Sequence, residues 1–469
     1  MKLKWSAKSA ARVTGAALTG GLAVAALAAV ANSQSSIDFG DDLGKPIQEI
    51  VSLPDQTYDM ACAVGLETEF GDKLEGKLLI QNQPGIEILE ATNLGTGEAI
   101  TSAQSGDTLS YTSKDPIGLR VHSSEPVNLL ATTVTMADTA DVRGLTLDEC
   151  RTATNYTWLN VGSTTVGESA LLTVMNPSKQ ASEVTLRAWT GSGSLEGAPA
   201  FTVRPNSSQT VNLAAFYPDE ERLALEVHAS GPGVVSTLRT AGVDGLTPRG
   251  TDQVSAVNAA STSVALVGVE KGILEPKLRL INMGEEDAEV SVQLLTEKGV
   301  EMLPGTESFI IDPGAVFQLS LDGISAEGAT ILVDSTEPVL ASAFGHIDAT
   351  KDEDDKKRAD RVVWMPSTPA ESFRAFLPNE GKKPEYTLFL ANPGDSAIDV
   401  EVNGTALRVE AHHTRTHKIA PGVLEVSAQA PIHAGVNMRV EGAAGPIISS
   451  LALQDASSDT RTISLIAPQ

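Results

Sequence analysis

The chain has 469 residues, of which 41% are apolar and 20% are charged, and its formal net charge is −26 at pH 7. This length is sufficient for several domains with cores of their own, and the composition excludes a disordered polymer. The negative charge repels phosphate backbones and anionic headgroups, so we expect neither nucleic acid nor a peripheral membrane surface as a partner.

Residues 1–31 have the pattern of an export segment. A basic front precedes an uncharged apolar stretch, residues 13–31, that ends in Ala-Val-Ala, and the front contains Lys2, Lys4, Lys8 and Arg12. The small residues favour cleavage near Ala31, whereas the length of the stretch just reaches what a membrane anchor needs. Both fates stay open. In both, the N-terminus is cytoplasmic at first and the bulk of the chain is delivered to the extracellular space or the cell envelope.

A linker, residues 32–47, leads to the first of several repeated segments, and the only two cysteines bracket that segment. An even cysteine count in an oxidising compartment predicts a disulfide between Cys62 and Cys150. The alternative is a pair of buried free thiols that behave as small apolar residues.

An asparagine turn recurs in the chain with apolar residues at every second position on both sides. Copies two, three and four carry it at Asn176, Asn282 and Asn392, and copy one carries a weaker version at Asn82. Alternation with period two predicts β-strands with one buried face. Asparagine tolerates left-handed dihedrals and bonds to nearby backbone, so we interpret its role as structural.

A second motif places a valine five residues before a proline in each of four copies. The pairs are Val121 and Pro126, Val227 and Pro232, Val333 and Pro338, and Val426 and Pro431. The repeat of about 100 residues is too long for a solenoid unit or a propeller blade and matches a β-sandwich. No sustained helical period follows residue 31. We therefore predict an all-β fold, a serial array of about four immunoglobulin-like β-sandwich modules behind the export segment.

The predicted boundaries follow the two motifs. Copy one, which is divergent, spans residues 48–150, and copy two spans 151–257. Copy three spans 258–350, a charged loop spans 351–361, and copy four, shortened by about one hairpin, spans 362–469.

Two polar clusters are candidates for metal binding, and both have simpler explanations. His413 and His417 in copy four lie four residues apart, too far along a strand to share a metal, so we interpret them and His412 as a solvated strand face. The acidic residues of the charged loop could attract a hard cation, but three basic residues follow them. These residues are Asp352, Asp354, Asp355, Lys356, Lys357 and Arg358.

The sequence contains no motif of known catalytic or cofactor chemistry, including zinc, phosphate-loop, nucleophile-elbow and calcium-loop patterns. We therefore predict no catalytic residue, no cofactor and no metal. Paired carboxylates on distant strands would leave no local motif, so a glycoside hydrolase stays open as the alternative. Because aromatic residues make up only 4% of the chain, we interpret Trp158, Trp189 and Trp364 as core or junction residues rather than sugar platforms.

The chain resembles an uncharacterised actinobacterial family of secreted or membrane-anchored proteins of unknown function. The resemblance rests on the Ala-rich export segment, Tyr156-Thr157-Trp158 after Cys150, the turn at 172–178, and the stretches at 226–233 and 244–254. It implies export and a repeated β-rich architecture, and it supplies no catalytic residue. The favoured hypothesis is a non-enzymatic envelope protein whose modules act as spacers, adhesion modules or interaction modules for envelope proteins or cell-wall glycan. The alternative is an envelope polysaccharide hydrolase or another carbohydrate-active enzyme that uses dispersed carboxylates.

Overall fold

The computed structural model describes residues 47–49, 56–68, 71–123, 129–139, 141–324, 326, 328–348, 359–443, 445–455 and 463–465. The predicted export segment, most of the linker and the charged residues 352–358 lie outside them. The described residues fall into two units, residues 47–49 with 463–465 and those between 56 and 455. In the smaller unit, strand β1 (Ile47–Glu49) pairs antiparallel with Ile463–Leu465, the last strand of the chain.

The larger unit is all-β, as predicted. The described residues contain one short 3₁₀ helix, Leu213–Ala215, and no α-helix. The strands of the segment predicted as copy one are β2 (Gln56–Cys62), β3 (Leu66–Glu67), β4 (Lys73–Leu74), β5 (Gly76–Gln81), β6 (Ile86–Asn93), β7 (Ala103–Ser105), β8 (Thr108–Ser113), β9 (Ile117–Ser123), β10 (Ala131–Asp138), β11 (Arg143–Glu149) and, just beyond, β12 (Arg151–Thr152).

Copies two and three contain strands in the same order, except that the single long strand β28 of copy three takes the place of β19 and β20 of copy two. In copy two they are β13 (Tyr156–Gly162), β14 (Glu168–Asn176), β15 (Ser182–Thr190), β16 (Gly193–Ser194), β17 (Ala200–Val203), β18 (Ser207–Asn212), β19 (Leu223–Ala229), β20 (Val235–Asp244) and β21 (Thr247–Ser255). In copy three they are β22 (Ser261–Val269), β23 (Ile273–Asn282), β24 (Ala288–Thr296), β25 (Gly299–Met302), β26 (Phe309–Ile311), β27 (Val316–Ser320), β28 (Ala329–Asp348) and β29 (Ala359–Trp364).

Copy four has one short strand, β34, where copies two and three have two. Its strands are β30 (Pro366–Ser367), β31 (Ala370–Leu377), β32 (Glu385–Asn392), β33 (Ile398–Val402), β34 (Thr405–Val409), β35 (His413–Ile419), β36 (Gly422–Glu441) and β37 (Pro446–Ala452).

One order of strand pairing recurs in all four copies. In copy two, one sheet has the order β13-β19-β15 and the other has β18-β14-β20-β21. Copy three repeats this order as β22-β28-β24 and β27-β23-β28-β29, and copy four as β31-β36-β33 and β35-β32-β36-β37. Copy one has β2-β9-β6 and β8-β5-β10-β11. Buried apolar side chains from both sheets form a core in each copy.

The valine and proline motif marks the passage of the chain from one sheet to the other. The valines are buried in the first sheet, and in copies three and four a single 20-residue strand, β28 or β36, continues through the proline into the second sheet. Pro338 and Pro431 lie where the strand leaves one ladder and has not yet joined the next. A proline is tolerated there because its missing N–H is not needed for pairing.

The four copies close on themselves. The last strands of the second sheets, β11, β21, β29 and β37, contact one another in a cycle, because β11 contacts β21, β21 contacts β29, β29 contacts β37, and β37 contacts β11. We call these four the central strands. The sequence predicted a serial array without this closure, and the observed arrangement is propeller-like. Repeated motifs reveal similar copies, but they carry no information on whether the first and last copies touch.

Each central strand accepts a hydrogen bond from the next one in the cycle. Three of the four acceptors are buried aspartates and the fourth is a buried serine. The bonds run from Ser255 Oγ to Asp148, from Val363 N to Asp252, from Ile448 N to Asp360 and from Leu147 N to Ser449 Oγ, at 2.5, 2.9, 2.8 and 3.1 Å.

Glycine permits the close approach of the central strands. A Cβ at Gly144 in β11 would collide with the carbonyl oxygen of Thr251 in β21, and one at Gly250 would collide with the backbone of Arg361 in β29. Gly250 also has a φ of +91°, which side-chain-bearing residues rarely adopt.

The pairing of β29 and β30 differs from the predicted division of the chain. β29 spans the end of the predicted charged loop and the start of predicted copy four, yet it pairs with β28 of copy three. β30 likewise pairs with β22. Within the part of the chain that the structure describes, we find no helix with the length and hydropathy that a membrane crossing requires.

Candidate functional site

The repeated asparagines are structural, as interpreted from the sequence. Asn282 is fully buried, its Nδ2 donates to Glu286 O at 2.7 Å and to Ile311 O at 2.9 Å, and its Oδ1 accepts from Gly284 N at 2.8 Å. Asn176 and Asn392 make the equivalent bonds. Asn82 of copy one is exposed instead, which fits the divergence of that copy.

The predicted disulfide is present. Cys62 and Cys150 are bonded, with their Cα atoms 4.3 Å apart. Cys62 ends β2 in one sheet and Cys150 follows β11, the last strand of the other sheet, so the bond ties the two sheets of copy one together. Its side chains belong to the core of that copy.

The three tryptophans lie in cores or junctions. Trp158 is buried and packs 5.0 Å from Trp189 between centroids, in a cluster with Ile281 and Leu340 of copy three. The indole of Trp364 is buried and donates to Gly268 O at 3.0 Å. The Trp158 cluster holds copies two and three together, whereas Trp364 belongs to the core of copy three.

The histidine cluster has ordinary local partners. His412 bonds to Asp395 at 2.9 Å and His413 to the carbonyl oxygen of Ala411 at 2.7 Å, and His417 is partly exposed on β35. Among the described residues, no group of three His, Cys, Asp or Glu side chains is placed to hold a metal.

A cavity of about 380 Å³ adjoins the disulfide and collects residues from copies one, two and four. We call it the disulfide cavity. Its charged lining residues are Glu149, Arg151, Arg374 and Asp455, and its hydroxyl residues are Thr152, Thr154, Thr157, Ser236 and Thr368. Glu149 and Arg151 flank Cys150, whereas β31 supplies Arg374.

Both arginines of the disulfide cavity have donors to spare. Arg151 approaches Asp148 at 3.7 Å and Arg374 approaches Glu425 at 3.1 Å, each through a terminal nitrogen. The Nε atoms of both arginines are buried without a partner among the described residues. The hydroxyls of Thr157 and Ser236 are also buried without a partner among the described residues. Buried polar atoms without a partner are costly, so this lining favours a polar ligand.

Glu149, in the lining of the disulfide cavity, has a strongly shifted pKa. Burial raises the pKa of its carboxyl to about 7, with a further upward contribution from Asp148 and an opposing one from Arg151. A carboxyl with this pKa is partly protonated near neutral pH and can either donate or accept a proton.

A second cavity, of about 220 Å³, shares Arg151, Asn258, Thr368 and Gln454 with the disulfide cavity. Residues from β11, β21 and β37 line it, together with the start of copy four. The site therefore lies at one end of the central strands, where copies converge.

One feature of the sequence could have indicated this site. Glu149 and Arg151 are adjacent to a cysteine predicted to be bonded, and a disulfide fixes the backbone of its neighbours. Arg374 follows the ordinary alternation of a strand, and nothing in its sequence context indicates that it faces Arg151 across a cavity.

A family model matches residues 113–423, more than half of the chain. The chain belongs to DUF5719, a family of unknown function. No curated protein matches the chain. Among solved structures, it is similar to the BSP domain of a biofilm-associated protein, at 7% identity and a TM-score of 0.11, covering 90% of this chain and 99% of that one. This similarity is too weak to indicate a shared fold or function.

The DUF5719 match includes most of the charged lining of the disulfide cavity. Glu149, Arg151 and Arg374 lie within the matched residues, and Asp455 lies beyond them.

Proposed function

We propose that this DUF5719 chain is a non-enzymatic, exported cell-envelope protein whose four copies are immunoglobulin-like β-sandwich modules. The ring of modules binds a wall glycan that carries carboxylate or phosphate groups. The export pattern of residues 1–31 supports the compartment, and the recurring order of strand pairing supports the module type. A closed cycle does not extend as an open series would, so adhesion or binding is favoured over a spacer role.

The observation that carries this proposal is the pair of arginines in the disulfide cavity. Guanidinium groups bind carboxylate and phosphate oxygens through directed N–H bonds, and both Nε atoms have donors without a partner among the described residues. The threonine and serine hydroxyls around them suit the hydroxyl groups of a sugar. A cavity of about 380 Å³ fits a small ligand or the end of a chain better than a flat protein surface.

The test is a binding screen of the purified protein against wall glycan fragments by calorimetry. We expect an anionic fragment to bind, and Arg374→Gln to weaken binding on the order of tenfold, because it removes one charge-assisted bond. The matched control is Arg408→Gln, which removes an exposed arginine of copy four that pairs with Asp399 and Glu410. Equal effects of the two substitutions, or binding of neutral and anionic fragments alike, would count against the proposal.

A polysaccharide hydrolase is the second candidate, and Glu149 favours it. Glycoside hydrolysis commonly uses two carboxyl groups, one of which has a raised pKa and acts as the acid. The disulfide cavity contains Glu149, with a pKa of about 7, and Asp455. If the chain is a hydrolase, reducing ends will accumulate in the same screen, and Glu149→Gln will abolish their release while it preserves fragment binding. If no product forms, the hydrolase is excluded for those glycans.

A further inference from the structure

A third cavity lies between copies two and three and shares no lining residue with the disulfide cavity. Its volume is also about 380 Å³. Strands β14, β23, β28 and β29 contribute to its wall. We call it the His346 cavity, after the residue that distinguishes it.

His346 is buried in β28 with 6% of its surface exposed. Neither ring nitrogen has a hydrogen-bond partner among the described residues. Burial lowers the pKa of the imidazole to about 2, and the positive charges of Arg361, Arg249 and Lys277 contribute to the decrease. The ring is therefore neutral, and one N–H donor and one acceptor have no partner within the described protein.

Arg361 lies opposite His346 in the ladder between β28 and β29. One terminal nitrogen of Arg361 contacts both carboxylate oxygens of Glu168, at 2.8 and 2.6 Å. Its Nε is buried and has no partner among the described residues. The ion pair with Glu168 holds the guanidinium and leaves the buried Nε donor without a partner among the described residues.

Arg279 supports the wall of the cavity and has no donor to spare. It is buried, and its guanidinium donates to the backbone of Asn160, Gly162 and Glu221 and to the amide oxygen of Gln318. Its Cζ lies 5.0 Å from the centre of the Phe344 ring. Burial lowers its pKa to about 9, so it still carries its charge at neutral pH.

The lining of the His346 cavity contains three cations and three acids, but the charges that act on the ring itself are those of Arg361, Arg249 and Lys277. The cations near the ring are Lys277, Arg279, Arg361 and the adjacent Arg249. The acids are Glu168, Glu221 and Glu275, of which Glu168 pairs with Arg361 and Glu275 with Arg249. The positive charges that act on the ring oppose a metal cation beside it and favour an anion.

We propose that the His346 cavity binds a small oxyanion, a carboxylate or a phosphate group, between the Nε donor of Arg361 and the ring of His346. The oxyanion accepts from both groups and so satisfies two buried donors. Burial is the main reason that the ring is neutral, and the nearby cations add to it; the negative charge of the oxyanion offsets those cations, so binding of the anion and protonation of the ring favour each other.

The test is NMR of the intact protein with isotope-labelled histidine, titrated separately with inorganic phosphate and with acetate. The His346 resonance is assigned by its loss in His346→Asn. We expect a saturable shift of this resonance with at least one of the two anions, together with an increase in its pKa at saturation. Phosphate and acetate distinguish the two sources of the oxyanion.

His433 is the internal control. It is also buried, with a pKa lowered to about 4, but its Nδ1 bonds to Ser367 O at 2.9 Å. No saturable shift at His346 with either anion, or an equal shift at His433, would overturn the proposal. Arg361→Lys keeps the charge and removes the Nε donor, and we expect it to weaken binding on the order of tenfold. Arg408→Gln, on the outside of copy four, should leave binding unchanged.

Discussion

The backbone N–H of Leu147 donates to Ser449 Oγ at 3.1 Å, and this bond joins the first copy to the last. Both residues are buried, and they belong to β11 and β37. Of the four hydrogen bonds between the central strands, this is the one that connects copy one with copy four.

Ser449→Ala should destabilise the protein by about 1–3 kcal/mol, because it leaves the buried N–H of Leu147 without an acceptor. Urea unfolding measures the change. The matched control is Ser450→Ala, which changes the next residue on the opposite face of β37 and should cost less than about 0.5 kcal/mol. Equal costs would mean that the bond between first and last copies contributes nothing.

Asn282→Ala should cost about 2–4 kcal/mol, because it leaves two buried carbonyl groups and one N–H without their side-chain partner. Asn82→Ala is the matched control in copy one, where the asparagine is exposed, and should have little effect. Thermal unfolding of the two variants beside the parent protein checks this. Similar losses would contradict the structural role of the buried turn asparagine.

Reduction of the disulfide should lower stability by about 4–5 kcal/mol in the chain-entropy model, because the bond closes a loop with a sequence separation of 88. Denaturant unfolding with and without a reducing agent measures the loss. The double variant Cys62→Ala, Cys150→Ala should unfold identically in both conditions. Thiol labelling of the native, non-reduced protein at either cysteine would contradict the bond.

Asp360 should make stability fall as the pH rises from about 6.5 to 8. Burial raises the pKa of its carboxyl to about 8, against an ordinary value of 3.8. The folded state therefore holds a proton that the unfolded chain has lost, and the stabilisation, complete at low pH, is lost as the pH approaches 8. Over this window one such group contributes about 1–2 kcal/mol. His346 and His433 have lowered pKa values and act in the opposite direction only at lower pH.

Asp360→Asn should reduce the loss of stability between pH 6.5 and 8 by about 1–2 kcal/mol. Part of the loss should remain, because burial also raises the pKa values of Glu149 and Asp252. Asp312→Asn changes an exposed turn residue and should leave the slope unchanged. Urea unfolding at a series of pH values provides the comparison. A slope of the same size in Asp360→Asn would show that this carboxyl ionises alike in the folded and unfolded states.

The sequence predicted those parts of the fold that depend on neighbouring residues. The asparagine turns and the recurrence of the valine and proline motif follow from local patterns, whereas the passage between sheets at that motif was not predicted. The disulfide followed from the cysteine count and the predicted compartment.

Closure of the central strands could not be predicted in this way. Its bonds join residues that are distant in sequence, and no local motif surrounds the acceptors. Asp252 lies opposite Thr240 in its ladder, Asp360 lies opposite Ile347, and a serine replaces aspartate in β37. The two cavities were missed for the same reason, since Arg374 and His346 acquire their significance only from residues in other copies.

The cycle of central strands also restricts how the gene can change. A row of modules that touch only their immediate neighbours can lose or gain a member at its end, and every remaining contact survives. Here β11 and β37 cover each other, so removal of any one copy exposes two central strands and their buried polar groups at once. We therefore expect the number of copies to be constant, because duplication or deletion of a single copy leaves central strands that cannot complete the cycle of contacts.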